Sequence, residues 1–192
     1  MKKDELIRIM TVIPDAILDL KYATENNFTG RKIYDFEDAL LRAGTLEKLK
    51  GAADRFRKMG YRIKVLDAFR PEEAQKTLWS VVSDPTFVAN PYNGGSNHTR
   101  GNAIDMTLTD MEGNELEMPS GFDDFSVKAL RTYEACSEEQ KMNSLIMENV
   151  MKECGFIPYP NEWWHFDDSE SYELYKESIG KALNRVMKEI RR

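Results

Sequence analysis

No apolar run in this chain is long enough to cross a bilayer, no block of lysine and arginine stands out before the extreme tail, and cysteine is nearly absent. Each scarcity excludes something. A transmembrane helix needs about 20 consecutive apolar residues, so membrane insertion is not expected. A nucleic-acid binder needs a basic face to neutralise phosphates, whereas these 192 residues carry a net charge of -6. Nucleic acid is therefore not an expected partner, and small zwitterionic molecules fit better. The two cysteines, Cys136 and Cys154, lack the spacing of a metal site and read as reduced, structural thiols of a cytoplasmic protein. The opening Met1-Lys2-Lys3 has the basic character of a signal peptide, but Asp4, Glu5 and Arg8 interrupt the place of its apolar segment.

Internal repeats, low-complexity blocks and Pro/Gly/Ser-rich linkers are missing as well. With 41% hydrophobic residues the expectation is a single domain over residues 1–192 with one sizeable core. Periodicity fills in the elements. Leu40, Leu41, Leu46, Leu49, Ala52, Ala53 and Phe56 recur at helical spacing, which predicts a helix over 38–59, or two broken near Gly44, stopped by Gly60. Tyr61 to Asp67 alternates as a strand, and Pro71 with Glu72 and Glu73 opens a helix towards Val82. Residues 84–97, rich in proline, asparagine and glycine, predict a loop leading straight into His98. Ala103 to Thr109 is the cleanest strand, with Ile104, Met106 and Leu108 on one face and Asp105 on the other, away from the apolar core. A helix over 144–154 ends at Gly155, and the C-terminal third reads as helical.

Histidine is as scarce as cysteine, and both histidines sit in short polar and aromatic runs: Ser96-Asn97-His98-Thr99-Arg100-Gly101-Asn102-Ala103-Ile104-Asp105 and Glu162-Trp163-Trp164-His165. A lone histidine is more often a core residue than a ligand. Here a turn at Gly101 followed by one strand can fold Asp105 back towards His98, and two imidazoles with one carboxylate form the donor set of catalytic zinc with a position left open for water. A metal-dependent hydrolase is the leading reading, with Glu162 as a spare carboxylate able to move protons. Glu162 and His165 share one side of a helix or tight turn but lie on opposite faces of a regular strand. Arg70, at a strand-to-helix junction, reads as a surface guanidinium, as an oxyanion donor or as a clamp for a substrate carboxylate. Gly101 and Ser96 have ordinary readings as a turn glycine and a capping hydroxyl, and Trp163 and Trp164 as core aromatics, one of which could wall the site.

Together with Asp19-Leu20-Lys21-Tyr22-Ala23-Thr24, Asn27-Phe28-Thr29-Gly30, Asp67-Ala68-Phe69-Arg70-Pro71 and Gly121-Phe122-Asp123, these runs resemble the D-alanyl-D-alanine dipeptidases of the VanX type, a zinc peptidase family. The resemblance spans most of the chain. It implies an α+β fold, with a central, mostly antiparallel sheet flanked by helices and one zinc at the base of a small cavity. It further implies that His98, Asp105 and His165 bind zinc, that Glu162 is general base and then acid, and that Arg70 stabilises the tetrahedral intermediate. Ser96, Tyr22 and Asp123 would orient the dipeptide, Asp123 at a free ammonium and Ser96 at a carboxylate or amide. The implied reaction is hydrolysis of D-Ala-D-Ala to two D-alanines, which leaves antibiotic resistance and recycling of cell-wall D-alanine as possible settings. Two departures stand out: Leu130 occupies a position where relatives often carry histidine, and the loop before Ser96 is shorter than in some members. The rival readings are a zinc carboxypeptidase that trims D-alanine from longer cell-wall peptides, an Fe(II) oxygenase, and a non-catalytic hedgehog-like zinc module.

Overall fold

The computed structural model describes residues 2–175. They form an α+β fold whose centre is a five-stranded sheet of order β2-β4-β5-β7-β6, built from β2 (Ile17–Leu18), β4 (Arg62–Asp67), β5 (Ala103–Thr109), β6 (Phe156–Pro158) and β7 (His165–Asp168). Only the β2–β4 pair is parallel; the other pairs are antiparallel. A separate two-stranded ribbon joins β1 (Leu6–Arg8) to β3 (Leu40–Arg42). The helices are α1 (Ile9–Val12), α2 (Ala43–Lys58), α3 (Glu72–Val81), α4 (Asn97–Arg100) and α5 (Glu138–Glu153).

Strand register divides the sheet into a core face and a chemical face. Ile63 pairs with Leu108, Val65 with Met106 and Ile104 with Phe166, so these side chains share one face. Helix α2 packs on β4 and against α5, presenting Leu46, Leu49, Ala53 and Phe56 at helical spacing. It ends in a Schellman motif: the Tyr61 N–H donates to Phe56 O, the Gly60 N–H donates to Arg57 O, and Gly60 sits at φ +83°. The opposite face carries Asp105 as expected, but it too is covered, and every residue of β5 is buried.

Three boundaries differ from the sequence reading. Residues 38–42 are not helical: Leu40 to Arg42 form β3, and pairing with Leu6 to Arg8 satisfies their backbone while all three of their side chains are buried. Helix α5 begins at Glu138, because Ser137 and Gln140 close a capping box that fixes its first turn well before residue 144. The expected C-terminal helicity fails at β7, and residues 169–175 contain no helix; the remainder lies outside the described residues.

Helix α4 is a single turn that follows the expected loop and shares only Asn97 with it. The Ser96 hydroxyl caps it by accepting the His98 N–H, and Gly101 ends it at φ +78°. A Cβ on Gly101 would lie 2.7 Å from Leu6 Cδ2. Gly101→Ala is expected to lower unfolding stability by about 1–2 kcal/mol, the cost of a left-handed non-glycine residue, read as a lower urea midpoint with an unchanged slope.

Candidate metal and catalytic site

A one-residue bulge in β4 prepares the floor of the site. Lys64 opposes Thr107 and Val65 opposes Met106, but Asp67 rather than Leu66 opposes Asp105, which in turn opposes His165 on β7. The extra residue re-aims Asp67 onto the chemical face. Three neighbouring strands thus set Asp67, Asp105 and His165 in one transverse row, and α4 lowers His98 onto it.

The donor atoms of His98, Asp105 and His165 all lie within 4.8 Å of one another. His98 Nε2 lies 3.3 Å from Asp105 Oδ2 and 3.2 Å from His165 Nδ1, which is 2.9 Å from Asp105 Oδ1. Each imidazole is anchored by its other nitrogen. His98 Nδ1–H donates to the Ala68 carbonyl at 2.7 Å, and His165 Nε2–H donates to Asp167 at 2.9 Å. These outer bonds fix the ring orientations and leave His98 Nε2 and His165 Nδ1 converging beside a carboxylate. That donor chemistry suits a divalent cation such as zinc.

The charges fit the same picture. Burial works against ionising Asp105, yet the imidazoles of His98 and His165 hold its carboxyl well below the usual range. Burial would also push the His165 imidazole down, but Asp105 and Asp167 hold it well above its ordinary value in the metal-free protein.

Glu162 occupies the turn before β7, where His165 N–H donates to the Glu162 carbonyl. The turn brings Glu162 Oε2 to 3.8 Å from His165 Nδ1, so the tight-turn alternative is the one found. Burial, aided by the Asp105 charge and opposed by His165, pushes its carboxyl up to about 7. Arg70 is not a surface group. It is buried with Nε and Nη2 donating to Asp67 Oδ2 at 2.9 and 2.6 Å, and Nη1 donating to Gln75 Oε1 at 2.8 Å. Its Nη2 also lies 3.8 Å from Asp105 Oδ2, and its guanidinium sits over the Tyr22 ring.

Asp123 takes φ +58°, a left-handed conformation that aspartate tolerates better than most residues. Its carboxylate accepts the Tyr22 hydroxyl at 3.0 Å. Burial first, then the charge of Asp105, raises its pKa well above the ordinary range despite that bond. Ser96 lines the same cavity, although its oxygen is already engaged at the α4 cap.

The eight candidate catalytic, binding and metal residues, Tyr22, Arg70, Ser96, His98, Asp105, Asp123, Glu162 and His165, line this one cavity, of about 270 Å³, with Trp164 in its wall. Trp163 does not line it; it is buried and donates to the Ser120 hydroxyl. Four further contributors escaped the sequence reading: Asp67, Asp167, Gln75, and Tyr34, whose hydroxyl donates to Asp67 Oδ1 at 2.6 Å. Of these, Asp167 had a usable signal, lying two residues after His165 and therefore on the same face of a strand.

Comparison with known proteins identifies the family. A dipeptidase of Escherichia coli (strain K12), described as D-alanyl-D-alanine dipeptidase, is 35% identical over 172 residues, covering 88% of this chain and 89% of its own. Proteins of the same description from Enterococcus faecium and Enterococcus faecalis (strain ATCC 700802 / V583) are 28% and 26% identical, each covering 77% of this chain and 83% of their own. The family profile for D-ala-D-ala dipeptidases of peptidase family M15 matches residues 2–183, and the chain belongs to that family.

Proposed function

We propose that this chain, acting as one domain, is a zinc-dependent dipeptidase that hydrolyses free D-Ala-D-Ala to two molecules of D-alanine. The observation that carries the reading is the convergence of His98, Asp105 and His165 in a cavity that also presents Glu162 and Arg70. Two imidazoles and a carboxylate, each imidazole oriented by an outer hydrogen bond, fit one zinc ion. When bound there, zinc supplies Lewis acidity, polarising the substrate carbonyl and making water more acidic.

The remaining steps belong to the side chains. Glu162 takes the proton from the attacking water and returns it to the departing amine, a task suited to a carboxyl titrating at about 7. Arg70 faces the developing oxyanion with donors that Asp67 and Gln75 leave free. Asp123, held by Tyr22, receives the substrate ammonium, whose charge offsets the desolvation of this half-buried carboxyl. The Ser96 hydroxyl hydrogen, left over by the capping bond, serves the substrate carboxylate or amide. The cavity volume falls below the roughly 300–1,000 Å³ of pockets for drug-sized ligands, which suits a dipeptide. A cytoplasmic setting is part of the proposal and is supported by two unpaired cysteines. Among the described residues no helix is long and apolar enough to cross a membrane.

The deciding experiment is D-alanine release from D-Ala-D-Ala by purified protein, with chelated and zinc-restored samples alongside. Activity lost with chelator and regained with zinc supports the reading; no turnover by folded, zinc-loaded protein overturns it. N-acetylation of the dipeptide removes the ammonium facing Asp123, and kcat/KM is expected to fall at least about tenfold; Asp123→Asn is expected to raise KM for the free dipeptide. Equal turnover of the acetylated substrate would favour the carboxypeptidase alternative. Asp167→Asn is expected to weaken zinc binding about 10–100-fold without unfolding the protein, measured by competition with a chromogenic chelator.

A further inference from the structure

Gln75 is a glutamine buried to 1% exposure on the inner face of α3, with both ends of its amide engaged. Its oxygen accepts Arg70 Nη1–H at 2.8 Å, and its nitrogen donates to the Ala89 carbonyl at 2.6 Å. Ala89, with neighbouring Phe87 and Val88, belongs to the loop that walls the cavity. One side chain therefore touches both the guanidinium and the wall.

The donor arithmetic of Arg70 shows what this does. A guanidinium has five N–H groups. Nε and one hydrogen of Nη2 go to Asp67, and one hydrogen of Nη1 goes to Gln75. One N–H remains on each Nη, and Arg70 lines the cavity, with Nη2 3.8 Å from Asp105. Asp67 alone grips one edge of the plane and leaves Nη1 free to tilt. Gln75 grips the far nitrogen and fixes the direction of the remaining pair.

Resting on the dipeptidase reading above, we infer that Gln75 is a positioning residue of the reaction: it aims the free N–H pair of Arg70 and ties that aim to the cavity wall through Ala89. It touches no substrate and acts through Arg70. The wall and the oxyanion donors then move together, so a substrate that presses on the loop also sets the guanidinium.

Two variants separate the functions. Gln75→Leu keeps the volume and removes both bonds, whereas Gln75→Glu keeps an acceptor for Nη1 and loses the donor to Ala89. With zinc content unchanged, Gln75→Leu is expected to lower kcat on D-Ala-D-Ala about tenfold or more, with KM moving less. Gln75→Glu should recover most of kcat while raising KM. In an Arg70→Ala background Gln75→Leu should cost nothing further in kcat, because the effect passes through Arg70. An equal loss in that background, or an unchanged kcat in Gln75→Leu, overturns the inference. A readout free of turnover is hydrogen exchange of the Arg70 guanidinium protons by NMR, expected to be slow in wild type and at least about tenfold faster in Gln75→Leu. Equal protection in both proteins overturns the positioning role, whereas an inactive wild type that shows the expected difference overturns only the choice of reaction. If Gln75→Leu does not fold, Gln75→Glu and Gln75→Met carry the same comparison.

Discussion

Glu162→Ala is expected to retain its zinc and lose about 10²–10⁴-fold in kcat, the usual share of a positioned general base. The two parts of this result have separate causes. Glu162 lies outside the converging set of His98, Asp105 and His165, so the donor atoms proposed to hold the ion are untouched. Yet it is the half-buried carboxyl placed 3.8 Å from His165 Nδ1, and desolvation brings it to about 7. Such a group can both accept and release a proton near neutrality. Glu162→Gln tests the same point with the shape preserved. Steady-state kinetics beside zinc content by atomic absorption decides the matter, and near-normal turnover by either variant removes Glu162 from the mechanism.

His98→Ala is expected to fail earlier, emerging from dialysis with less than about one tenth of the wild-type zinc and with no measurable turnover. His98 is buried and fixed by the Ala68 carbonyl, so truncation removes a ligand and also orphans a buried acceptor. Full zinc occupancy in this variant would remove His98 from the ligand set. The wild-type metal affinity should also depend on pH with a definite sign. In the metal-free protein, Asp105 and Asp167 raise the His165 pKa well above its ordinary value against the pull of burial, which favours the protonated imidazole. Zinc must displace that proton, so apparent affinity falls as pH falls, by about tenfold per unit for one proton.

The main elements were legible because their signals are local. Alternation marked β5, and with it the side of the sheet on which Asp105 stands. Gly60 and Gly155, both at positive φ, marked the ends of α2 and α5. The short ribbon β1–β3 was not legible, since three buried residues in a row have no period and depend on a partner more than thirty positions away. In the site, the candidate ligands and Glu162 stood out because two histidines in distinctive runs leave few choices, and family resemblance supplied Tyr22, Asp123 and the role proposed for Arg70. Asp67 was missed as a participant because only a bulge turns it to the chemical face. Gln75 was missed because nothing near it in sequence announces that α3 will bring it beside Arg70.

The row formed by Asp67, Asp105 and His165 belongs to paired strands, whereas Phe87, Val88, Ala89 and Asp123 come from connecting segments. This division separates what the protein can change from what it must keep. Asp67, Asp105 and His165 are tied into a backbone ladder whose alternate residues form the hydrophobic core, so drift there is penalised twice, in stability and in chemistry. The wall segments bear neither constraint to the same degree. Descendants of this sequence can therefore evolve towards larger or differently charged substrates by altering the enclosure while inheriting the reactive centre intact.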